Sequence, residues 1–272
     1  MELNPTILAK LIVLVRKHTG IAMTERKSVL LERRLRPRMQ ALSLSSYQDY
    51  LDRVERDGAE IPHFIDLVTT NDTLFFRTPQ VWDYFAGRYL PDWWAAHHGK
   101  TLHIWSAAAA SGEELYSIAM LCEQFKLGTP AFRYHIHATD ISQQILGQAA
   151  AGQYEGRSVE RLQSSHPDLF KKYFIVTGKV ARVPDELKKH VSFGQHNLLQ
   201  PLRPAQRFDL IFLRNVLIYF DIEHQKTVLQ QARHSMAPHA RLILGESETI
   251  SRLETAYQFE QTMIYKLDEA AA

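Results

Sequence analysis

From residue 100 onward, short apolar runs alternate with longer helical stretches, and that alternation leaves few folds open to the chain. Leu102 to Trp105 reads as a strand, followed by a helix from about Gly112. Tyr134 to Ala138 reads as a second strand, with a helix running through Ile145. Phe208 to Phe212 is a third, leading into a helix over Ile222 to Met236 and a strand at Arg241 to Leu244. Strand–helix alternation implies a parallel sheet with helices on both faces, an α/β domain. A last apolar segment, Met263 to Leu267, is expected to pair at an edge of that sheet. The stretch from 155 to 195 breaks the rhythm. Tyr173 to Val176, the turn Thr177-Gly178-Lys179 and Val180 to Val183 read as a hairpin. We place a small antiparallel β insertion there, at about 168–190, before Val191 to Phe193 resumes the sheet.

The first 70 or so residues carry helical periodicity instead. Ile7, Leu11 and Val15, flanked by Leu8 and Ile12, define one apolar helix face. Val29, Leu30, Leu35, Met39 and Leu42 fit a second helix that Pro37 is expected to bend or end. Tyr47, Leu51 and Val54 suggest a third helix, and Ile61, Phe64, Ile65 and Val68 a fourth. The expected organisation is an all-α domain at 1–75 followed by the α/β domain at 76–272, joined by the aromatic-rich segments Asp72 to Phe85 and Tyr89 to Gly99. A chain of 272 residues has room for both.

Composition removes several function classes. The net charge of +2 gives no global pull toward nucleic acid, so a basic partner surface must be local. Cys122 is the only cysteine, which excludes an internal disulfide and any multi-cysteine zinc site; its apolar neighbours suggest a small buried hydrophobe. The 13 histidines are scattered without companion acids at metal-ligand spacing. Ile7 to Val15 is interrupted by Lys10 and followed by Arg16 and Lys17, unlike a signal peptide, and no run reaches the ~20 apolar residues of a membrane span. The expectation is a cytoplasmic protein.

Polar residues gather at the predicted carboxyl ends of the strands. The small residues Ala107 to Ser111 and Gly112 let a ligand approach the backbone closely, in the place where doubly wound sheets bind nucleoside cofactors. A tight turn with Ser111 capping the helix and Glu114 as its capping-box partner explains those two residues equally well, but not Glu113. Asp140 ends the second strand, where an acid accepts ribose hydroxyls; capping the following helix is the alternative. Arg214-Asn215, leading to Tyr219 and Asp221, falls at the same edge, with Asp221 also suited to capping. Asn71, Thr73 and Arg77 lie in a polar–aromatic–cationic stretch that also suits a capping loop or a salt bridge. The stretch from Arg26 to Arg38 holds Arg26, Lys27, Arg33, Arg34, Arg36 and Arg38 against the single acid Glu32. That run suits either a solvated face or an acidic partner.

Taken in order, these segments resemble the CheR-type chemoreceptor glutamate O-methyltransferases, which use S-adenosylmethionine. The resemblance rests on Thr19-Gly20-Ile21 with Leu30-Leu31 and Arg34-Leu35, on Thr69 through Arg77, and on Trp105-Ser106 through Gly112-Glu113-Glu114 with Tyr116 to Met120. It continues through Ala138 to Ile141, Phe212 through Asp221, and Gly245-Glu246-Ser247-Glu248. It implies a helical N-terminal domain on a Rossmann-like methyltransferase domain with a small β insertion. By matching position, Glu113 would hold the cofactor's amino group, Asp140 the ribose hydroxyls, and Asn197-Leu198 the region near adenine. Asn71, Thr73, Arg77, Arg214 and Asn215 would complete the pocket, with Arg77 and Tyr219 nearest the transferred methyl. The substrate would be the acidic cytoplasmic methylation region of a chemoreceptor, facing Arg33, Arg34, Arg36 and Arg38.

The chemistry is consistent with the absence of a triad or metal motif. A glutamate carboxylate, with a reference pKa of ~4.3, is already ionised at neutral pH and needs no general base. A sulfonium methyl is electrophilic, so the enzyme's work is alignment. The sequence departs from the usual pattern in having alanines where many members carry Gly-Cys, Leu115 for a common Pro, and Glu246 for a frequent His. The hairpin turn is short beside that of members that grip a receptor's tail peptide, which implies that no such tether is needed. Two other readings remain: a nicotinamide-dependent oxidoreductase, which the Ala run with Glu113 suits poorly, and a non-catalytic module of a signalling array.

Overall fold

Capping chemistry fixes where the first helix begins and ends. In the computed structural model, which describes residues 3–268, α1 (Pro5–Thr19) opens on Asn4, whose side chain accepts the Ile7 N–H, with Pro5 at the first helical position. It stops at Gly20, left-handed at φ 76°, whose N–H closes on the Arg16 carbonyl. A Cβ at Gly20 would come within 2.4 Å of Leu199, so the bare backbone lets α1 abut the second domain. Helices α2 (Ser28–Ala41), α3 (Tyr47–Arg56) and α4 (Glu60–Val68) complete the bundle around Leu11, Leu31, Leu35, Tyr50 and Phe64. Pro37 neither ends nor breaks α2, which continues to Ala41. Pro37 is exposed, so the hydrogen bond it cannot donate is lost on the solvent side, where water serves the freed carbonyl.

A continuous helical run follows: α5 (Pro79–Tyr84), a π-helical segment over Phe85–Tyr89, and α6 (Leu90–Ala96). It buries Trp82, Phe85 and Trp93 in the core beneath the main sheet. Then come β1 (Thr101–Ala107), α7 (Glu113–Gly128), β2 (Arg133–Asp140) and α8 (Gln143–Ala151). After β3 (Gln153–Tyr154), α9 (Arg157–Ser165), α10 (Pro167–Tyr173), β4 (Ile175–Thr177), β5 (Val180–Arg182) and α11 (Asp185–Lys188), the large sheet resumes. Its remaining elements are β6 (Val191–Gln195), β7 (Phe208–Leu213), α12 (Ile222–His234), β8 (Met236–Leu244), β9 (Tyr257–Gln261) and β10 (Ile264–Leu267).

The seven-stranded sheet has the order β6-β2-β1-β7-β8-β10-β9, with the first five strands parallel and β10 antiparallel to both neighbours. Strand β7 is buried along its whole length, as its apolar run requires of a central parallel strand. Its two faces feed separate cores, one holding Ile104, Tyr116 and Phe212 and the other Trp105, Ile211 and Leu229. Cys122 is fully buried. Strand order reverses between β1 and β7, which opens a crevice at their carboxyl ends.

Two strand expectations change. The segment ending at Leu267 lies inside the sheet, between β8 and β9, and β9 forms the edge. Strand β9 places Tyr and Phe among Gln and Glu, with Phe259 exposed, so its pattern is that of an edge strand with little core to announce it. The hairpin of β4 and β5 is joined by β3 into a three-stranded antiparallel sheet, and Tyr173 belongs to α10 rather than to the strand. A strand of two residues carries no readable alternation. Among the described residues, no helix is long and apolar enough to cross a membrane.

Candidate active site

The loop leaving β1 turns sharply on residues that bear almost no side chain. Ala108 (φ 63°), Ala110 (φ 48°) and Gly112 (φ 98°) are all left-handed. A Cβ on Gly112 would meet the Tyr154 hydroxyl at 2.8 Å and the Ala149 Cβ at 3.0 Å, so this position excludes a side chain on packing grounds as well. Gly112 itself occupies the N-cap of α7, and no side chain caps that helix. The capping-box alternative for Ser111 and Glu114 is therefore not what forms. Ser111 donates to Glu113 Oε2 at 2.6 Å, while Glu114 accepts Ser106 Oγ at 2.9 Å and pairs with Arg214 Nη1 at 3.0 Å.

Asp140 does not cap α8 either; Ser142 does, accepting the Ile145 N–H. The Asp140 carboxylate instead reaches into the β1 turn. Its Oδ2 accepts the Ala110 N–H and its Oδ1 the Ser142 N–H, both at 3.0 Å. Burial pushes its pKa above the ordinary carboxylate range, although these backbone donors oppose the shift. Glu113 and Glu114 are likewise raised, each chiefly by burial.

Arg77 is presented by a strained segment, lying between Phe76 (φ 51°) and Thr78 (φ 67°). Its backbone is held firmly: the Arg77 carbonyl accepts Trp82 Nε1 at 2.9 Å and Arg214 Nη2 at 2.8 Å. Its side chain is held loosely, donating one bond to the Asp72 carbonyl at 3.2 Å. The alternatives for this stretch do not form, since α5 has no side-chain cap and Arg77 makes no salt bridge among the described residues.

These groups border one cleft. Asn71, Thr73, Arg77, Asp140, Asn197, Leu198, Arg214, Asn215 and Tyr219 all line it, together with Asp72, Ala108 to Ala110 and Glu114. Glu113 is not among its lining residues; its two oxygens accept the Ser111 and Ser158 hydroxyls. The helical bundle supplies one wall. Thr19 and Ile21 at the end of α1 and Thr69 and Thr70 after α4 also face the cleft. Ala22 N–H donates to the Tyr219 carbonyl at 2.8 Å, Asn197 donates to the His18 carbonyl at 3.2 Å, and Arg16 pairs with Asp221 at 2.6 Å. Asp221 also caps α12, as its position at the helix start allows.

A family model described as the CheR methyltransferase SAM binding domain matches residues 71–266, and one described as the CheR methyltransferase all-alpha domain matches residues 7–69. The chain belongs to the CheR methyltransferase family. It is 33% identical over 254 residues to chemotaxis protein methyltransferase 1 of Pseudomonas aeruginosa, covering 92% of each chain. It is 35% identical to the chemotaxis protein methyltransferase of Vibrio parahaemolyticus, over 91% of this chain and 92% of that one. The Escherichia coli chemotaxis protein methyltransferase is 34% identical, over 94% of this chain and 88% of its own. As a CheR-family protein the chain is an S-adenosylmethionine-dependent methyltransferase.

In this CheR-family chain the four arginines of α2 divide into different environments. Arg38 grips buried Glu60 in a two-pronged salt bridge, Nε–Oε1 2.9 Å and Nη2–Oε2 2.7 Å. Arg34 turns onto the cleft wall, where it donates to the Val68 and Thr69 carbonyls and to Thr70 Oγ1. Arg34 and Arg38 are thus engaged within the protein. Arg33 and Arg36 are exposed, with Arg36 near Glu32 and Tyr47. Sequence reasoning also passed over Glu114 and His196 as cleft residues. In sequence Glu114 reads as the capping-box partner of Ser111, and His196 sits in a loop without local pattern.

Proposed function

We propose that the enzyme esterifies glutamate side chains in the cytoplasmic methylation region of chemoreceptors, and that the cleft at the β1/β7 switch point holds both cofactor and acceptor. The convergence of Asp140, Arg77, Arg214 and Tyr219 on that one cleft carries the reading. Its donor set suits a nucleoside bearing an amino acid: carboxylates stand near one another with guanidiniums, as an ammonium and a carboxylate on one ligand require. When bound, S-adenosylmethionine supplies a sulfonium methyl that a carboxylate oxygen can displace. Asp140 offers free lone pairs to two adjacent hydroxyls while its backbone bonds fix its orientation. Glu113, just behind the residues that line the cleft, accepts the rotatable Ser111 and Ser158 hydroxyls and is the acceptor we assign to the ammonium. Arg214 is locked by Glu114 and the Arg77 carbonyl, with its buried Nε left without a protein partner among the described residues. Asn197 and Leu198 lie beside the β6 end and suit the adenine region; Asn71, Thr73 and Asn215 complete the walls.

The lightly held Arg77 guanidinium is the group we assign to the incoming substrate carboxylate, with Tyr219 steering it by a hydrogen bond. No side chain need remove a proton from an already ionised carboxylate, so these residues act by orientation and charge. We place the work in the cytoplasm, divide the chain at about residue 75, and assign exposed Arg33 and Arg36 to the acidic receptor surface. The short turn at Thr177-Gly178-Lys179 supports catalysis without a tail-peptide tether. The test has two steps. Calorimetric titration with S-adenosylhomocysteine should show tight binding, and tritiated S-adenosylmethionine should then deposit base-labile methyl esters on receptor-bearing membranes. Cofactor binding without any base-labile label would overturn the glutamate assignment.

A further inference from the structure

We propose that Glu248 is a positioning residue for methyl transfer, holding the loop that carries Asn215 and Tyr219 into the cleft by gathering four backbone N–H groups on one buried carboxylate. The inference rests on reading that cleft as the methyl-transfer site. Glu248 is 7% exposed and does not itself line the cleft. Its Oε2 accepts the Gly245 N–H at 2.6 Å and the Asn215 N–H at 2.8 Å, and its Oε1 accepts the Val216 and Leu217 N–H groups, each at 2.8 Å.

Three successive amides, 215 to 217, therefore point at one side chain, a concave arrangement of N–H groups that favours an anion. Asn215 sits at φ 57°, in the left-handed region, at the point where the chain leaves β7. The fourth amide belongs to Gly245 at the end of neighbouring β8, so one carboxylate ties together the two strand ends behind the cleft. That junction is tight: a Cβ on Gly245 would lie 2.6 Å from Asn215 Nδ2 and 2.7 Å from Glu248 Oε2. The last gathered amide, that of Leu217, opens the short 3-10 turn Leu217–Tyr219, which sets Tyr219 at the cleft. Charge-assisted bonds from a carboxylate to backbone donors are short and strong, and here they fix backbone rather than substrate. Such preorganisation matters because a misplacement on the order of 1 Å costs on the order of a hundredfold in rate.

The test replaces Glu248 by Gln, which keeps its volume but sets an NH2 against two backbone donors. The control is Asp209→Asn, which disarms a buried carboxylate at the opposite end of β7, where it accepts the His103 N–H and contacts His239. We expect Glu248→Gln to weaken S-adenosylhomocysteine binding and to lower kcat, each on the order of tenfold or more, well below its melting temperature. Amide exchange at residues 215–217 and 245 should accelerate in the cofactor-free protein. Glu248→Asp, which retains the charge, should recover part of kcat. Asp209→Asn should lose stability while keeping both functional values. Wild-type affinity and kcat in folded Glu248→Gln would overturn the proposal, as would equal functional losses in Asp209→Asn. If Glu248→Gln fails to fold, Glu248→Asp decides: accelerated local exchange with wild-type affinity and kcat overturns it, and accelerated exchange with both lowered supports it. A wild-type protein that does not bind S-adenosylhomocysteine overturns the site reading itself, and the positioning role with it.

Discussion

Asp140, which we assign to the cofactor ribose, would be pulled in opposite directions by folding and by ligand. Burial raises its pKa in the folded protein above the unfolded value. The folded state then holds the proton more tightly, so between the ordinary and the raised pKa this group adds stability to the cofactor-free protein as pH falls. Ribose hydroxyls, in contrast, need the ionised form as acceptor. Affinity for S-adenosylhomocysteine should therefore fall as pH is lowered from neutrality through the raised value, while the Asp140 contribution to cofactor-free stability rises. Calorimetry across that range, repeated on Asp140→Asn, checks both signs; the variant should lose the pH dependence that Asp140 contributes. Asp140→Ala should abolish measurable binding, and an unchanged affinity would remove Asp140 from the site. Arg77 allows a cleaner separation. Its carbonyl, not its guanidinium, anchors Trp82 and Arg214. Arg77→Ala should thus keep its melting temperature and cofactor affinity within a fewfold while methyl transfer drops by two orders of magnitude or more. Tritium incorporation at the wild-type rate would exclude a catalytic role.

At the scale of elements, α2 illustrates what could be read in the sequence and what could not. Its apolar positions Leu31, Leu35 and Met39 are visible as periodicity and are buried as expected. The fates of its arginines are not visible, because periodicity says which residues face away from the core but not which acids stand opposite. Glu60 lies on α4, far along the chain, and only the packing of the two helices makes it the partner of Arg38. The same holds for the cleft. The strand-end positions of Asp140, Arg214 and Asn215 follow from the βα rhythm alone, whereas the role of Glu248 depends on two strand ends meeting. The division of α2 can be tested directly. Removing Arg38 leaves Glu60, 2% exposed, without its cation, and Arg38→Ala should cost about 3 kcal/mol of stability in a denaturant titration. Arg33→Glu, at an exposed position, should leave stability within ~0.5 kcal/mol but raise KM for receptor-bearing membranes. Equal stability losses in the two variants would refute the assignment.

At the scale of the whole molecule, the cleft is bordered by both the bundle and the sheet domain. Thr19, Ile21, Thr69 and Thr70 come from the bundle side; Asp140, Arg214 and Tyr219 come from the sheet side. The Ala22–Tyr219 bond, the Asn197–His18 bond and the Arg16–Asp221 pair cross between them, and Arg34 holds the 68–70 segment in place from α2. A ligand filling the cleft touches groups from both domains, so its binding energy should stabilise them together rather than the sheet alone. At a hundred times its Kd, a ligand that binds only the native state adds about 2.7 kcal/mol. Calorimetric scans should then show the bundle and sheet transitions moving upward together with S-adenosylhomocysteine. Amide exchange should slow at 19–22 and 69–73 as well as at 107–112. Breaking the crossing contacts supplies the contrast: Arg16→Ala combined with Arg34→Ala should weaken that shared shift, since the bundle wall is then less firmly seated before ligand arrives. A bundle transition that stays fixed while the sheet transition climbs would mean that the helical wall borders the cleft without contributing to binding. The helical domain would then serve substrate recognition alone.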